Sequence, residues 1–314
     1  MKLNRLNWIP FLLFLLLQLH CGNALANGKL RIVATLPDLR YIAEQIGGDK
    51  VDAFAIARGF QDPHFVDAKP SFVLKLKKAD LFVQVGLDLE IGWVPPLLET
   101  ARNRNVYFGG EGYVNASDGI SLLEIPKGNA AQLRAQGDIH IFGNPHYWLD
   151  PRNGKIMAQN ITSKLTALLP EETVVFEKNL ASFNARIDSA YQAWKEKIAP
   201  YEGTKIIAYH NSWPYFEHAF DMNIVGFIEP KPGIPPAPSH LVSVIKRMKE
   251  ENVRIIIISP YFDDKPAQVV ARRTGAQVVA IAPSVGAFPQ IKTYFDLFDY
   301  NLNALIEAIE KVRE

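Results

Sequence analysis

The chain contains seven histidines, and three of them sit where a metal ion could be held. His64 lies in Gln61-Asp62-Pro63-His64-Phe65, and His146 in Asn144-Pro145-His146-Tyr147-Trp148-Leu149-Asp150-Pro151. His210 lies in Ala208-Tyr209-His210-Asn211-Ser212-Trp213. Neutral imidazole is the commonest protein ligand for Zn²⁺, at about 2.0–2.1 Å. Two of the three follow a proline, which restricts the backbone before it and so helps to aim the ring. Asp62, Asp67 and Asp150 are close enough in sequence to orient a ring through its second nitrogen. Taken singly, each histidine also fits an ordinary hydrogen-bonded or surface residue; only a shared setting makes a site.

The elements around these residues supply that setting. Lys29 to Leu36 reads as a buried strand and Leu39 to Ile46 as a helix stopped by Gly47-Gly48. Val51 to Ala57 is a second strand, Pro70 to Lys78 a helix with basic residues in its last turn, and Leu81 to Val85 a third strand. A second series follows: strand Lys205 to Ala208, helix Trp213 to Phe220, strand Ile224 to Ile228, and helix Ser239 to Glu251 with Ser239 as its cap. Strand Arg254 to Ser259, helix Lys265 to Thr274 ended by Gly275, strand Gln277 to Ala282 and helix Phe295 to Val312 complete it. Alternating strands and helices predict parallel sheets with helices on both faces. In such sheets ligands bind at the carboxyl ends of the strands. His64 follows the second strand and His210 opens the second half's loops, so both point to one crevice from opposite lobes.

Between the halves, Phe176, Leu180, Phe183, Ile187, Tyr191, Trp194 and Ile198 form an apolar stripe at helical spacing, with no Gly or Pro from Glu171 to Ala199. One helix of about 29 residues, roughly 43 Å long, is implied. A coiled-coil dimer would produce the same stripe, but a helix placed between two α/β halves fits better as a rigid backbone for both. The expected organisation is a signal peptide over 1–26, an amino-terminal α/β lobe over 27–170, the linking helix over 171–199 and a second α/β lobe over 200–314. Residues 115–144, rich in Gly, Asn, Gln and Asp, read as a long surface loop.

Composition narrows the function classes. Of 314 residues, 34 are basic and 33 acidic, a formal charge of +1. That leaves no electrostatic footprint for a phosphate backbone, so no nucleic-acid partner is expected. A basic start, an apolar run from Trp8 to Leu19 and Ala24-Leu25-Ala26 before Asn27 form a secretory signal. That run, about 12 residues, is too short to span a bilayer as a helix. Leu19-His20 before Cys21 lacks the small residue that lipid attachment favours, so no lipid anchor is expected. Cleavage before Asn27 removes the single cysteine and with it any thiolate ligand, leaving imidazole and carboxylate to hold a metal.

These motifs together resemble a family, the metal-specific solute-binding proteins of ABC importers that include zinc and manganese receptors. The resemblance runs over nearly all of the mature chain. It rests on KLRIVATLPDL, on Asp62-Pro63-His64 followed by PSFVLKLKKADLFVQVG, on NPHYWLDP, on AYHNSWPYF and on Pro283-Ser284-Val285-Gly286. It implies two α/β lobes joined by a rigid helix, one metal ion between them, a periplasmic monomer and delivery to the transmembrane subunit of an ABC permease. His64, His146 and His210 match the family's first three ligand positions, and a His at 210 suits the zinc-type receptors, with Mn²⁺ as the alternative. Where many members place a fourth-ligand Asp, this chain reads Ala282-Pro283-Ser284. Glu229, after the strand Ile224 to Ile228, is the candidate replacement, followed by Asp263, Asp264 or water. Many zinc receptors carry a His-rich insertion in the loop where only His140 occurs here, which reads as an incidental surface residue. His218 and His240 read as structural, and Glu90 as either supporting the site or capping within the core.

The resulting expectation is a non-enzymatic receptor that captures zinc outside the cytoplasm. An envelope protein using a structural metal for adhesion or assembly is the main alternative. A zinc hydrolase is the other, although no HExxH or similar signature occurs.

Overall fold

The computed structural model describes residues 28–129 and 140–313. Its amino-terminal sheet holds β1 (Leu30–Ala34), β2 (Val51–Ala55), β3 (Leu81–Gln84) and β4 (Tyr113–Asn115) in the order β2-β1-β3-β4. The carboxy-terminal sheet holds β5 (Lys205–Ala208), β6 (Asn223–Phe227), β7 (Ile255–Ile258) and β8 (Gln277–Ala280) in the order β6-β5-β7-β8. Every pairing is parallel. The composition explains why: β7 is four consecutive isoleucines, all buried, a pattern that only a strand covered on both faces can satisfy. The chain is therefore an α/β protein of two sheets, as the alternation of elements predicts.

The covering helices are α1 (Pro37–Gly47), α2 (Pro70–Lys78), α3 (Val94–Ala101), α4 (Asn153–Leu168), α5 (Thr173–Ile198), α6 (Pro214–Phe220), α7 (Pro238–Glu250), α8 (Lys265–Thr274) and α9 (Tyr294–Arg313). α7 begins at Pro238 after Ala237, with no side-chain cap. Ser239 therefore lies inside the first turn rather than capping it: proline at the first helical position has no N–H to satisfy. Helices α3 and α4 and strand β4 are additional to the expected elements.

The linking helix is α5, flanked by short 3₁₀ turns at Pro170–Glu172 and Ala199–Tyr201. Its stripe is buried within this chain at Phe176, Phe183, Ile187, Trp194 and Ile198. Near its start, Asn179 Nδ2 donates to Ile46 O at 2.8 Å, fastening it to the end of α1. Near its end, the Trp194 ring lies 5.0 Å from Phe298 of α9, and Trp194 Nε1 donates to Asp299 Oδ1 at 2.6 Å. The helix thus packs on elements beside both sheets.

The loop after β8 is built into the first half of the chain. Asp38, fully buried in the first turn of α1, accepts from Val285 N at 3.1 Å and from the Ser284 hydroxyl. Gly59, in the loop after β2, lies so close that a Cβ there would come within 2.0 Å of Val285 O. Trp148 Nε1 donates to Pro283 O at 2.8 Å. The Pro283-Ser284-Val285 stretch therefore serves as a seam between the halves.

The expected signal segment 1–26, which includes Cys21, falls outside the described residues, as do residues 130–139 of the expected 115–144 loop. Among the described residues no helix is long and apolar enough to cross a membrane.

Candidate metal centre

The two loops that carry His64 and His146 are built alike. In Asp62-Pro63-His64, Asp62 Oδ1 accepts from both the His64 backbone N–H, at 3.0 Å, and its ring Nδ1, at 2.7 Å. In Asn144-Pro145-His146, Asn144 Oδ1 accepts from the His146 N–H, also at 3.0 Å, and its ring Nδ1, at 2.9 Å. An acceptor two residues before the histidine thus fixes its backbone and ring together. Asn144 is fixed in turn, because its Nδ2 donates to Glu124 Oε2 at 3.0 Å and Asn211 O at 2.9 Å. The His64 turn is held from below by Trp93 Nε1, which donates to Pro63 O at 2.9 Å.

His210 is held differently. It follows β5, where the β5–β6 register shifts between Ile206 and Ile207. Ile228 N and Glu229 N donate to Ala208 O and Tyr209 O, at 2.9 and 3.0 Å, extending the ladder past both strand ends. That places Glu229 beside His210, with Glu229 Oε2 2.6 Å from His210 Nδ1 and both side chains buried.

All three histidines therefore have Nδ1 committed to an oxygen acceptor. The proton of each neutral ring sits on Nδ1, and Nε2 presents its lone pair. One ring nitrogen from each of His64, His146 and His210 lies within 4.8 Å of the other two. The ring centroids are 5.3 Å apart for His64 and His146, 5.5 Å for His64 and His210, and 5.8 Å for His146 and His210. His146 Nε2 is buried and has no hydrogen-bond partner among the described residues. A buried polar atom without a partner costs about 1–3 kcal/mol, so it points to something the site is built to bind.

A fourth imidazole stands beside the three. His140, expected as an incidental surface residue, is half-buried, with its Nε2 3.1 Å from His64 Nε2 and its ring stacked on His64 at 5.1 Å. It lines a pocket of about 250 Å³ with His146 and His210. Burial, together with the nearby His64 and His210, pushes the His140 ring down to about pKa 3 and holds His146 well below its ordinary value. Both rings are neutral at physiological pH, the state a metal requires.

The other expected residues fall elsewhere. Asp67 is exposed, and Asp150 forms a bidentate pair with Arg152 at 2.7–3.1 Å instead of orienting a ring. Asp263 lies at the exposed start of α8, its Oδ1 accepting from Lys265 N at 3.1 Å, with Asp264 beside it. His218 is exposed on α6, and His240 Nε2 bonds Phe227 O at 3.1 Å. Glu90 is buried and accepts from Val85 N at 2.8 Å and Gly86 N at 3.0 Å, shaping the turn after β3. Sequence reasoning missed Asn144, although its place two residues before His146, matching Asp62 before His64, was a visible signal.

Two sheets backed by one helix, with imidazoles gathered where their loops meet, define a two-lobed binding protein. The family described as ZnuA, zinc-uptake complex component A, periplasmic, matches residues 32–308, so the chain belongs to it. This is the metal-specific solute-binding family of ABC transporters, not a family of enzymes. A manganese ABC transporter substrate-binding lipoprotein, PsaA of Streptococcus pneumoniae, is 27% identical over 291 residues, covering 90% of each chain. A metal ABC transporter substrate-binding lipoprotein, SsaB of Streptococcus sanguinis, is 26% identical over 293 residues, covering 91% of each. A crystal structure of ZnuA superposes with a TM-score of 0.73 at 26% identity, covering 90% of this chain and 98% of that one. A zinc-bound ZnuA variant lacking residues 138–173 of its own chain gives 0.72, also at 26% identity, over 90% of this chain and 96% of that one. Because PsaA and SsaB are named lipoproteins, the expectation against a lipid anchor at Cys21 is withdrawn.

Proposed function

We propose that this protein captures a zinc ion outside the cytoplasm through His64, His146 and His210 and hands it to the membrane permease of an ABC importer. The observation that carries this reading is the set of three ring nitrogens within 4.8 Å of one another, each ring with its Nδ1 tied to an acceptor. Rings oriented in this way are preorganised as neutral ligands. Glu229, expected as a fourth ligand, serves on this reading to orient His210.

Nitrogen donors favour zinc, whereas oxygen donors favour manganese. The manganese in the name of PsaA is that relative's metal; the imidazole cluster supports zinc for this chain. The leader within residues 1–26 supplies the export signal, with lobes over 27–170 and 200–314 and residues 171–199 as their common support, working as a monomer. A linking helix fastened at both ends limits opening to small movements around the cleft.

Elemental analysis of the purified protein beside a His64→Ala/His210→Ala variant tests this. The expected result is about one zinc per chain, lost from the variant with its circular dichroism unchanged. A wild-type protein that stays metal-free after incubation with zinc and manganese overturns the function. One that takes manganese in preference at equal supply overturns the choice of zinc and leaves the receptor standing.

A further inference from the structure

We infer that His140 is the fourth ligand, so that the site holds its ion in an all-imidazole tetrahedron. This rests on the reading of His64, His146 and His210 as the metal site and adds what completes and selects its cargo.

The geometry starts from His64. Its Nδ1 is bound to the Asp62 carboxylate, so the nitrogen facing His140 is the bare Nε2 with its lone pair. His140 Nε2 stands 3.1 Å from that atom. Adjacent ligand atoms of a tetrahedral zinc with bonds of about 2.0–2.1 Å are separated by roughly 3.3 Å. The His64–His140 pair already has close to the spacing of one edge of that tetrahedron. The His140 ring centroid is 6.2 Å from that of His146, and the pocket it lines also exposes His146 and His210.

The turn carrying His140 is tied to the rest of the site. His140 O accepts from Gly143 N at 3.3 Å, and Asn144 N donates to Leu123 O at 2.9 Å. Gly143 takes a φ of 120°, and a Cβ there would meet Leu123 O at 3.0 Å, so this close approach needs glycine. Asn144, at the end of the turn, is the residue that orients His146. Its carbonyl accepts from Tyr215 Oη at 3.0 Å. His140 and His146 are thus set by one anchored segment.

Among the described residues, the carboxylates nearby are engaged elsewhere. Asp62 and Glu229 hold the Nδ1 atoms of His64 and His210. Glu124 Oε2 accepts from the amides of Asn144 and Asn211, at 3.0 and 2.8 Å. Asp263 and Asp264 lie at the exposed start of α8. With imidazole as the fourth donor the shell contains no oxygen, which favours zinc over manganese.

X-ray absorption at the zinc edge, with zinc and manganese titrations of the wild type, His140→Ala, His140→Asp and His210→Ala, tests the assignment. The wild-type spectrum should fit four imidazoles and that of His140→Ala three plus one oxygen. Zinc affinity should fall about 100-fold in His140→Ala, beyond most losses of an outer-shell partner, and His140→Asp should narrow the preference for zinc over manganese. An unchanged zinc spectrum and affinity in His140→Ala, with binding lost in His210→Ala, would overturn the fourth-ligand assignment and leave the three-histidine receptor intact. A wild type that binds no zinc would remove both.

Discussion

Glu229 Oε2 lies 2.6 Å from His210 Nδ1, on the opposite side of the ring from the nitrogen that presents its lone pair. A carboxylate in this place cannot also ligate an ion on Nε2 of the same ring without leaving its partner. It fixes the tautomer and holds the ring plane.

Replacing Glu229 should therefore weaken binding without abolishing it. Glu229→Gln should raise the zinc Kd by about 10–100-fold while keeping about one zinc per chain, by the usual weight of an outer-shell partner. Isothermal titration reads both quantities. Loss of all stoichiometric binding would show that Glu229 is itself a ligand.

Asn144 does for His146 what Asp62 does for His64, through one oxygen serving both a backbone N–H and a ring Nδ1. Asn144→Ala leaves those donors of a buried residue without their acceptor, at about 1–3 kcal/mol, and frees the ring. We expect a lower unfolding midpoint in urea and a zinc affinity reduced about 10–100-fold. Asn211→Ala, which leaves the acceptors of His146 in place, should change the affinity far less; equal losses would contradict this role for Asn144.

Acid should weaken zinc binding, with a limited slope. Protons compete with the metal for imidazole nitrogen, so Kd rises as pH falls. Burial first, then the neighbouring His64 and His210, keep His146 well below its usual range and His140 at about 3. Neither ring takes up a proton between pH 7.5 and 5.5, so neither adds to the proton count. The plot of log Kd against pH should have a slope of no more than about two protons per zinc. A flat plot would count against histidine ligation, and a slope near four would show that His140 and His146 are not held neutral.

Asp38 should give the seam between the halves its own pH response. Burial raises its carboxyl to about 6 despite hydrogen bonds from Ser284 and Val285. A folded-state pKa above the unfolded value means stability that is fully present below about pH 4 and lost as pH rises through about 6. The full difference is on the order of 3 kcal/mol. Asp38→Asn keeps an acceptor for Val285 N–H without the buried charge. It should be more stable than wild type at pH 8, with the gap closing towards pH 4. Denaturant midpoints at the two pH values decide this, and a gap that does not change with pH would contradict a titrating Asp38.

Much of the fold was legible because local chemistry punctuates it. Helix α2 begins at Pro70, and α8 ends at Thr274 before Gly275 in the left-handed region at φ 73°, so both have the expected bounds. Strand β5 is a short apolar run with equally clear edges. Helix α4 was missed because it opens on Asn153-Gly154 and carries Asn and Thr within it, residues that signal turns when read locally. Its buried Met157, Ile161 and Leu165 nevertheless recur at helical spacing. Strand β4 spans only Tyr113–Asn115, too short for any alternation to register.

The site divides in the same way. The sequence by itself determined the three histidines, and the acceptor-Pro-His pattern at Asp62 and Asn144 is a local device, since all its hydrogen bonds span two residues. Only the tertiary structure brought Glu229 and His140 to the other histidines. Glu229 reaches His210 because β5 and β6 pair in parallel and continue their ladder through Tyr209, a relationship across nineteen residues that no local pattern encodes. His140 meets His64 across seventy-six residues because the turn before Asn144 is anchored over the cleft. Local preferences set which residues can bind a metal; long-range packing sets which ring nitrogens converge.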